Sequence, residues 1–185
     1  MCSVFLISGA SAERIDDIRA WYAKIQESKA LSEKKTEFAT EDEMLTGTRT
    51  VRQYAGKMTA MTVEWGAGDH GSSVEHYYFK DGELFFAFIQ NYSWTFVEGG
   101  TPEQPATQDS VTENRYYFDG ETCIRALTRS ASVKDASELE KKIAKVEQKT
   151  VEPDANALSA PARAVNLLGA ASAEAICAVL EERVE

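Results

Sequence analysis

The sequence holds only two histidines, His70 and His76, so acid–base or zinc chemistry that needs an imidazole rests on these positions. Asp69 precedes His70 in a stretch rich in glycine and serine, and this pair is the nearest approach to an acid–base constellation. A zinc site would need further ligands such as Asp69, Glu64 or Glu75, and no short-spaced ligand motif supplies them. We therefore predict no metal site and no catalytic residue. A hydrolase or metal enzyme centred on Asp69 and His70 is the alternative.

Common catalytic motifs are absent from the sequence. It contains no phosphate-binding loop G-x-x-x-x-G-K-[ST], no nucleophile elbow G-x-S-x-G and no zinc motif H-E-x-x-H. The acidic run Glu41–Glu43 precedes a predicted strand, where a charge run is typical of a solvated turn. The sequence therefore favours no nucleotide or hydrolase chemistry, and we predict no cofactor.

Aromatic residues provide the strongest signal for a binding site. Trp65, Tyr92 and Trp94 lie at or near predicted strand ends, beside two irregular segments that contain glycines. Flat amphipathic rings at such positions bind sugars, peptides or apolar ligands, although they also close the rim of a core. The candidate ligand-binding residues are Trp65, Tyr92, Trp94, Tyr78 and Phe85.

The charge balance excludes one class of partner. The chain has 20 lysines and arginines against 30 acidic residues, which is a formal net charge of −10. Such a surface repels the phosphate backbone of a nucleic acid unless a basic stripe is present, and we find none. No segment approaches the roughly 20 apolar residues of a transmembrane helix. We therefore predict no nucleic-acid partner and no transmembrane segment.

These observations lead to a functional hypothesis with two alternatives. The leading hypothesis is a non-enzymatic, extracytoplasmic binding or interaction module that uses an aromatic sheet surface and loops, with a small apolar ligand or a protein as its partner. The first alternative is a carrier of apolar ligands, in which a curved sheet forms a half-barrel-like cavity. The second is the weak hydrolase or metal enzyme centred on Asp69 and His70.

The predicted cellular location of the protein rests on the first 12 residues of the sequence. A short apolar run is followed by Ala10-Ser11-Ala12, which has the small-x-small form of a signal-peptidase site. We interpret residues 1–12 as a clipped signal-peptide remnant before a single domain over 13–185, in a periplasmic or secreted protein. In the alternative interpretation, Ser11 caps the first helix. Cys123 and Cys177 form a disulfide in the oxidising location, or are two buried thiols.

The elements that position these residues form an α+β fold. Ile15, Ile18, Tyr22 and Ile25 recur with helical spacing, which predicts an amphipathic helix over about 11–30. From about 34 to 129 the period changes to two, which predicts an antiparallel meander of about six strands with an additional strand near 36–40. Two to three C-terminal helices complete the prediction.

The C-terminal helices are predicted from caps and apolar stripes. Asp135 and Glu138 stand in capping-box register and predict a helix to about 149. Ser159 and Pro161 predict the opening of a second helix that Gly169 ends, and Ser172 is placed to cap a third.

Two hairpins share a local sequence pattern. Tyr-Tyr-Phe precedes Asp-Gly at Asp81-Gly82 and at Asp119-Gly120, and Asp-Gly suits a two-residue type I′ turn. Because Lys80 is an insertion in the first copy, this interpretation puts the tyrosines of the two copies on opposite faces. The predicted opposite pairs are Tyr78–Phe85, Tyr77–Phe86, Tyr117–Thr122 and Tyr116–Cys123. Gly82 and Gly120 are predicted to have positive φ.

Overall fold

The sheet is an antiparallel meander of eight strands, in which each strand pairs only with its neighbours in sequence. The computed structural model describes residues 9–68, 71–101 and 104–182. Within these ranges the α+β class is confirmed, and the predicted count of about six strands is slightly low. The strands are β1 (Ser32–Ala39), β2 (Leu45–Tyr54), β3 (Met58–Ala67), β4 (Ser72–Lys80), β5 (Glu83–Phe96), β6 (Thr107–Asp119), β7 (Thr122–Val133) and β8 (Lys149–Val151). The helices are α1 (Gly9–Glu27), α2 (Leu139–Ile143), α3 (Ala155–Gly169) and α4 (Ala173–Glu181).

Helices cover both faces of the sheet. The face that carries Tyr78 and Phe86, called the α1 face, packs against the apolar stripe of α1. The opposite face carries Tyr77 and Tyr116 and packs against α3 and α4, so it is called the α3 face. This arrangement explains why the strand pair β4–β5 is apolar on both sides, as a strand buried on both faces must be.

The α1 helix follows the predicted periodicity. Ile15, Ile18 and Ile25 are buried, whereas Tyr22 is 36% exposed and packs edge-on against Tyr78. Residues 1–8 lie outside the described residues, and Ala10-Ser11-Ala12 falls within α1. The signal-peptide interpretation and the extracytoplasmic location stay predictions.

The two hairpins have matching registers, which corrects the prediction that they differ. Asp81 and Gly82 form the first turn with φ of 54° and 88°, as a type I′ turn requires. In the second hairpin Asp119 pairs with Thr122, so the turn consists of Gly120, with φ of 56°, and Glu121. Glycine at the first central position is typical of a type II′ turn. Positive φ at both glycines is confirmed, but the second turn begins one residue later than predicted.

Asp119 is the last paired residue before the second turn, as Lys80 is before the first. Tyr77 and Tyr116 each lie three residues before that position, so they lie on the same face. Each hairpin also contains a register shift at the bond that follows its second tyrosine. A β-bulge adds one residue to one strand, so every pair beyond it moves by one position. The observed pairs are Tyr78–Phe86, Tyr77–Ala87, Tyr117–Arg125 and Tyr116–Ala126, which replace the four predicted ones.

The C-terminal elements differ from the prediction at two boundaries. The side chain of Asp135 accepts a hydrogen bond from Ser137 N, but only a 3-10 turn, Ala136–Glu138, and the short α2 follow it. Lys149 belongs to β8 rather than to a helix. The α3 helix begins at Ala155, earlier than predicted, because the Asp154 carboxylate accepts from Ala157 N. The Gly169 end and the Ser172 cap are confirmed.

Among the described residues, no helix combines the length and the apolar character that crossing a membrane requires.

Candidate functional site

A half-open cleft of about 480 Å³ lies at the end of the sheet, where α2 crosses the α1 face. We call it the α2 cleft. The β3–β4 connection, the end of β5 and the start of β6 form its other walls. Its lining residues are Gly66, Gly68, Gly71, Ser72, Tyr92, Ser93, Trp94, Asp109, Ser110, Ala136, Leu139 and Glu140.

A small apolar cluster holds α2 against the sheet and so forms one wall. Leu139 and Ile143 of α2 are buried against Val111 and Ala131 of β6 and β7. Tyr92 packs on this cluster and pairs in register with Val111. The periodic spacing of Leu139 and Ile143 on one helical face is the local reason that this short helix docks here.

Glycine is required where the β3–β4 connection approaches β5. A Cβ built on Gly71 would lie 2.7 Å from the carbonyl oxygen of Tyr92, so a side chain would push the two segments apart. Gly68 has φ of 55°, and its N–H donates to the carbonyl of Met44. The sequence from Gly66 to Gly71 also spells G-x-G-x-x-G. The dinucleotide fingerprint needs a helix after the loop, whereas this loop leads into β4.

Two carboxylates make the α2 cleft acidic. The Glu140 side chain accepts a hydrogen bond of 3.1 Å from the hydroxyl of Tyr92. Burial, together with the charge of Glu140, raises the pKa of Tyr92 to about 12, so its hydroxyl stays a protonated donor. Asp109 lies on β6, directly across from Trp94 of β5 in the strand register. The described lining includes no lysine or arginine.

Trp94 continues an aromatic edge beyond the cleft. Its ring meets that of Phe96 edge-on, with 5.0 Å between the centroids. Phe96 is 66% exposed and Trp94 is half-buried. Large exposed apolar side chains at the mouth of a concave site are typical of a surface that another molecule covers.

The structure divides the five candidate residues among three places. Tyr92 and Trp94 line the α2 cleft. Trp65 lies on the α3 face, where its Nε1 donates to the buried Glu75 carboxylate at 2.9 Å. Tyr78 and Phe85 are buried beneath α1. Sequence spacing does not separate these environments, because the face of each residue depends on the register of its strand in the sheet.

Histidine and cysteine chemistry finds little geometric support in the described part of the chain. Asp69 and His70 lie outside the described residues, so that hypothesis stays a prediction. His76 lies on the α1 face, where Nδ1 is 3.2 Å from the hydroxyl of Thr62 and the ring stacks on Phe88. Cys177 is buried and Cys123 half-buried, and both are free thiols, which is the second of the two arrangements left open by the sequence. No described cluster of three or more histidine, cysteine or acidic side chains can hold a metal ion.

Sequence reasoning missed the buried charges. On the α3 face, Arg163 of α3 forms an ion pair of 2.9 Å with Glu75, and Tyr77 also donates to this carboxylate. On the α1 face, Glu113 accepts from Arg129 at 2.6 Å and from Arg115 at 3.2 Å. The available signal was the strand period, which places Glu75 in step with buried Tyr77 and Glu113 in step with buried Val111.

A second concave region bears on the apolar-carrier alternative. It lies between α1 and the sheet and has a volume of about 190 Å³, below the roughly 300–1,000 Å³ of typical ligand pockets. Arg19 and Arg115 line it together with aromatic rings, and the Arg115 guanidinium lies 4.3 Å from the centroid of Phe88. This pocket is small and partly cationic, so it offers less room for an apolar ligand than that hypothesis requires.

Comparison with known proteins adds no further assignment, because no family model, curated protein or solved structure matches the chain.

Proposed function

We propose that this protein is a non-enzymatic interaction module that binds a cationic group of a protein partner in the α2 cleft. The observation that carries the proposal is the combination, in one cleft, of the Trp94 ring with the carboxylates of Asp109 and Glu140 and no cation among the described lining residues. A lysine or arginine side chain of an extended peptide satisfies both features at once.

The energetics favour this ligand class. Tryptophan is the best cation–π acceptor among the side chains, and such contacts contribute about 0.5–2 kcal/mol. Hydrogen bonds from an ammonium or guanidinium to a carboxylate are shorter and stronger than neutral ones. The net charge of −10 adds a general attraction for cations that salt weakens. An anionic ligand would meet repulsion from all three sources.

The test is calorimetric titration with a capped trilysine peptide, with a capped triglutamate peptide as the charge-reversed probe. We expect trilysine to bind and triglutamate not to bind. Trp94→Ala and Glu140→Gln should each weaken trilysine binding by about 3- to 10-fold, since each removes about 1 kcal/mol of interaction. The matched control is Glu147→Gln, which makes the same charge change at an exposed residue outside the cleft.

An equal change in trilysine affinity in Glu140→Gln and Glu147→Gln would mean that only net charge attracts the peptide, which contradicts a specific cleft. A folded Trp94→Ala variant with unchanged affinity would likewise remove the aromatic wall from the proposal.

A further inference from the structure

A different cavity, of about 440 Å³, lies on the α3 face between the β1–β3 edge of the sheet and the α3–α4 turn. Its charged lining residues are Lys34 and Arg49, and none of its described lining residues is acidic. In a chain with ten more acidic than basic residues, a concave site with two cations and no carboxylate is opposite in sign to the surface as a whole.

Arg49 is the buried charge at this site. The residue is 3% exposed and lies in β2, paired in register with Thr36 and Val63. Its Nη1 donates to the carbonyls of Leu167 at 2.5 Å and of Ala170 at 2.8 Å, at the C-terminal end of α3. Its Nε is buried and has no hydrogen-bond partner among the described residues.

No carboxylate of the described residues forms an ion pair with Arg49, whereas two half-buried arginines elsewhere in the fold each have one. Arg163 is paired with Glu75, and Arg129 with Glu113. Removing a guanidinium from water costs several kcal/mol unless an opposite charge or a full set of acceptors compensates it. The two carbonyls and the negative end of the α3 dipole compensate part of this charge. Burial lowers the pKa of Arg49, but a guanidinium still keeps its proton in a protein.

We propose that this cavity binds a small molecule through an oxyanion, either a carboxylate or a phosphate group, with Arg49 as the anchoring cation and Lys34 as the second. The planar guanidinium fork matches both kinds of oxyanion, and the flexible ammonium of Lys34 approaches as a point charge. Ser32, Gln53 and Thr59 line the same cavity and supply neutral donors. The site lies on the other face of the sheet from the α2 cleft and has the opposite charge preference.

Lys34 offers a test that leaves the core intact. Lys34 and Lys35 are adjacent and exposed in β1, but their side chains point to opposite sides of the strand, and only Lys34 lines the cavity. We would titrate the whole protein with inorganic phosphate and with succinate by calorimetry, using sodium chloride at matched ionic strength as the reference. At least one of the two anions should bind, and the stronger binder identifies the oxyanion class.

The expected result is about 3- to 10-fold weaker binding in Lys34→Gln, unchanged binding in Lys35→Gln and no measurable binding in Arg49→Met. If Arg49→Met does not fold, the nitrogen NMR signal of Arg49 Nε in the wild type replaces it and should shift on titration. Three outcomes would overturn the proposal. The first is that neither anion binds above the chloride reference. The second is that the two lysine variants lose equal affinity. The third is that the Arg49 Nε signal does not shift while an anion binds.

Discussion

Arg163 and Arg49 both join α3 to the same face of the sheet, yet they are satisfied in different ways. Arg163 extends from α3 to the Glu75 carboxylate on β4, so its charge is neutralised within the fold. Arg49 extends from β2 to the last carbonyls of α3, and its Nε has no partner among the described residues. The Nε of Arg163 is likewise buried without a hydrogen-bond partner in the described part of the chain, so the two arginines differ in counter-charge. The Arg163–Glu75 pair is closed in charge, whereas Arg49 leaves a positive charge unmatched beside a cavity.

This difference separates a structural charge from a charge that is available to a ligand. A buried ion pair that is broken leaves its other half uncompensated, so Glu75 and Arg163 depend on each other. Arg49 leaves no buried carboxylate behind when it is replaced. Burial alone therefore does not mark a charged residue as a candidate for ligand binding, and the absence of a counter-charge is the feature that sets Arg49 apart.

The largest effect is expected for Arg163→Met. It leaves the fully buried Glu75 carboxylate without its guanidinium, and we expect the free energy of unfolding to fall by about 3–5 kcal/mol in urea denaturation. The double variant Arg163→Met with Glu75→Gln should recover part of this loss, because the uncompensated charge is gone. A loss below about 1 kcal/mol in the single variant would show that the pair is not the closed unit described above.

A smaller effect is expected for Arg49→Met without added anion. The change removes two hydrogen bonds to carbonyls but also removes an uncompensated charge, so we expect the unfolding free energy to fall by no more than about 1–2 kcal/mol. The same urea experiment measures it. A loss as large as that of Arg163→Met would eliminate the contrast between the two arginines.

The smallest effect concerns His76, a half-buried base that can release its proton, as the two arginines cannot. Burial lowers the pKa of His76, Glu64 opposes this shift and Arg52 adds to it. The unfolded chain then binds more protons than the folded one below the unfolded pKa of about 6.5, so stability falls as the pH decreases from there toward the folded pKa.

Urea denaturation at pH values of about 7 and about 5.5 measures this dependence, and we expect a loss of about 1 kcal/mol or less. His76→Gln should flatten the dependence, and His70→Gln, the other histidine of the chain, serves as the matched control. Equal flattening in both variants would contradict burial of His76 as the cause.

Local signals in the sequence predicted much of the fold, and long-range pairing accounts for what they missed. The helical spacing of Ile15 and Ile18, the Asp81-Gly82 turn and the Ser172 cap each act within a few residues, and each is observed. Glu75 and Arg163, by contrast, are 88 residues apart, and Arg49 is 118 residues from the carbonyl of Leu167. No spacing rule connects partners at such distances.

The candidate site shows the same limit. Strand-end position grouped Tyr92 with Trp94, and the two residues share a face because they lie two positions apart on β5. It also grouped Trp65 with them, although Trp65 faces the other side of the sheet and binds Glu75. The sequence did not predict Glu140 as part of the α2 cleft, because the position of Glu140 depends on how α2 docks against β6 and β7.

The meander order of the strands has a consequence for synthesis on the ribosome. Hairpins between successive strands need only short loops to close, so β1 to β5 can pair as soon as they emerge. Glu75 then lacks its partner Arg163, which is synthesised 88 residues later. At roughly 5–20 residues per second, synthesis of that segment takes about 4–18 seconds. During this interval the α3 face of the nascent sheet is open to water and to other chains. We expect that stage of translation to be when the protein most needs a chaperone.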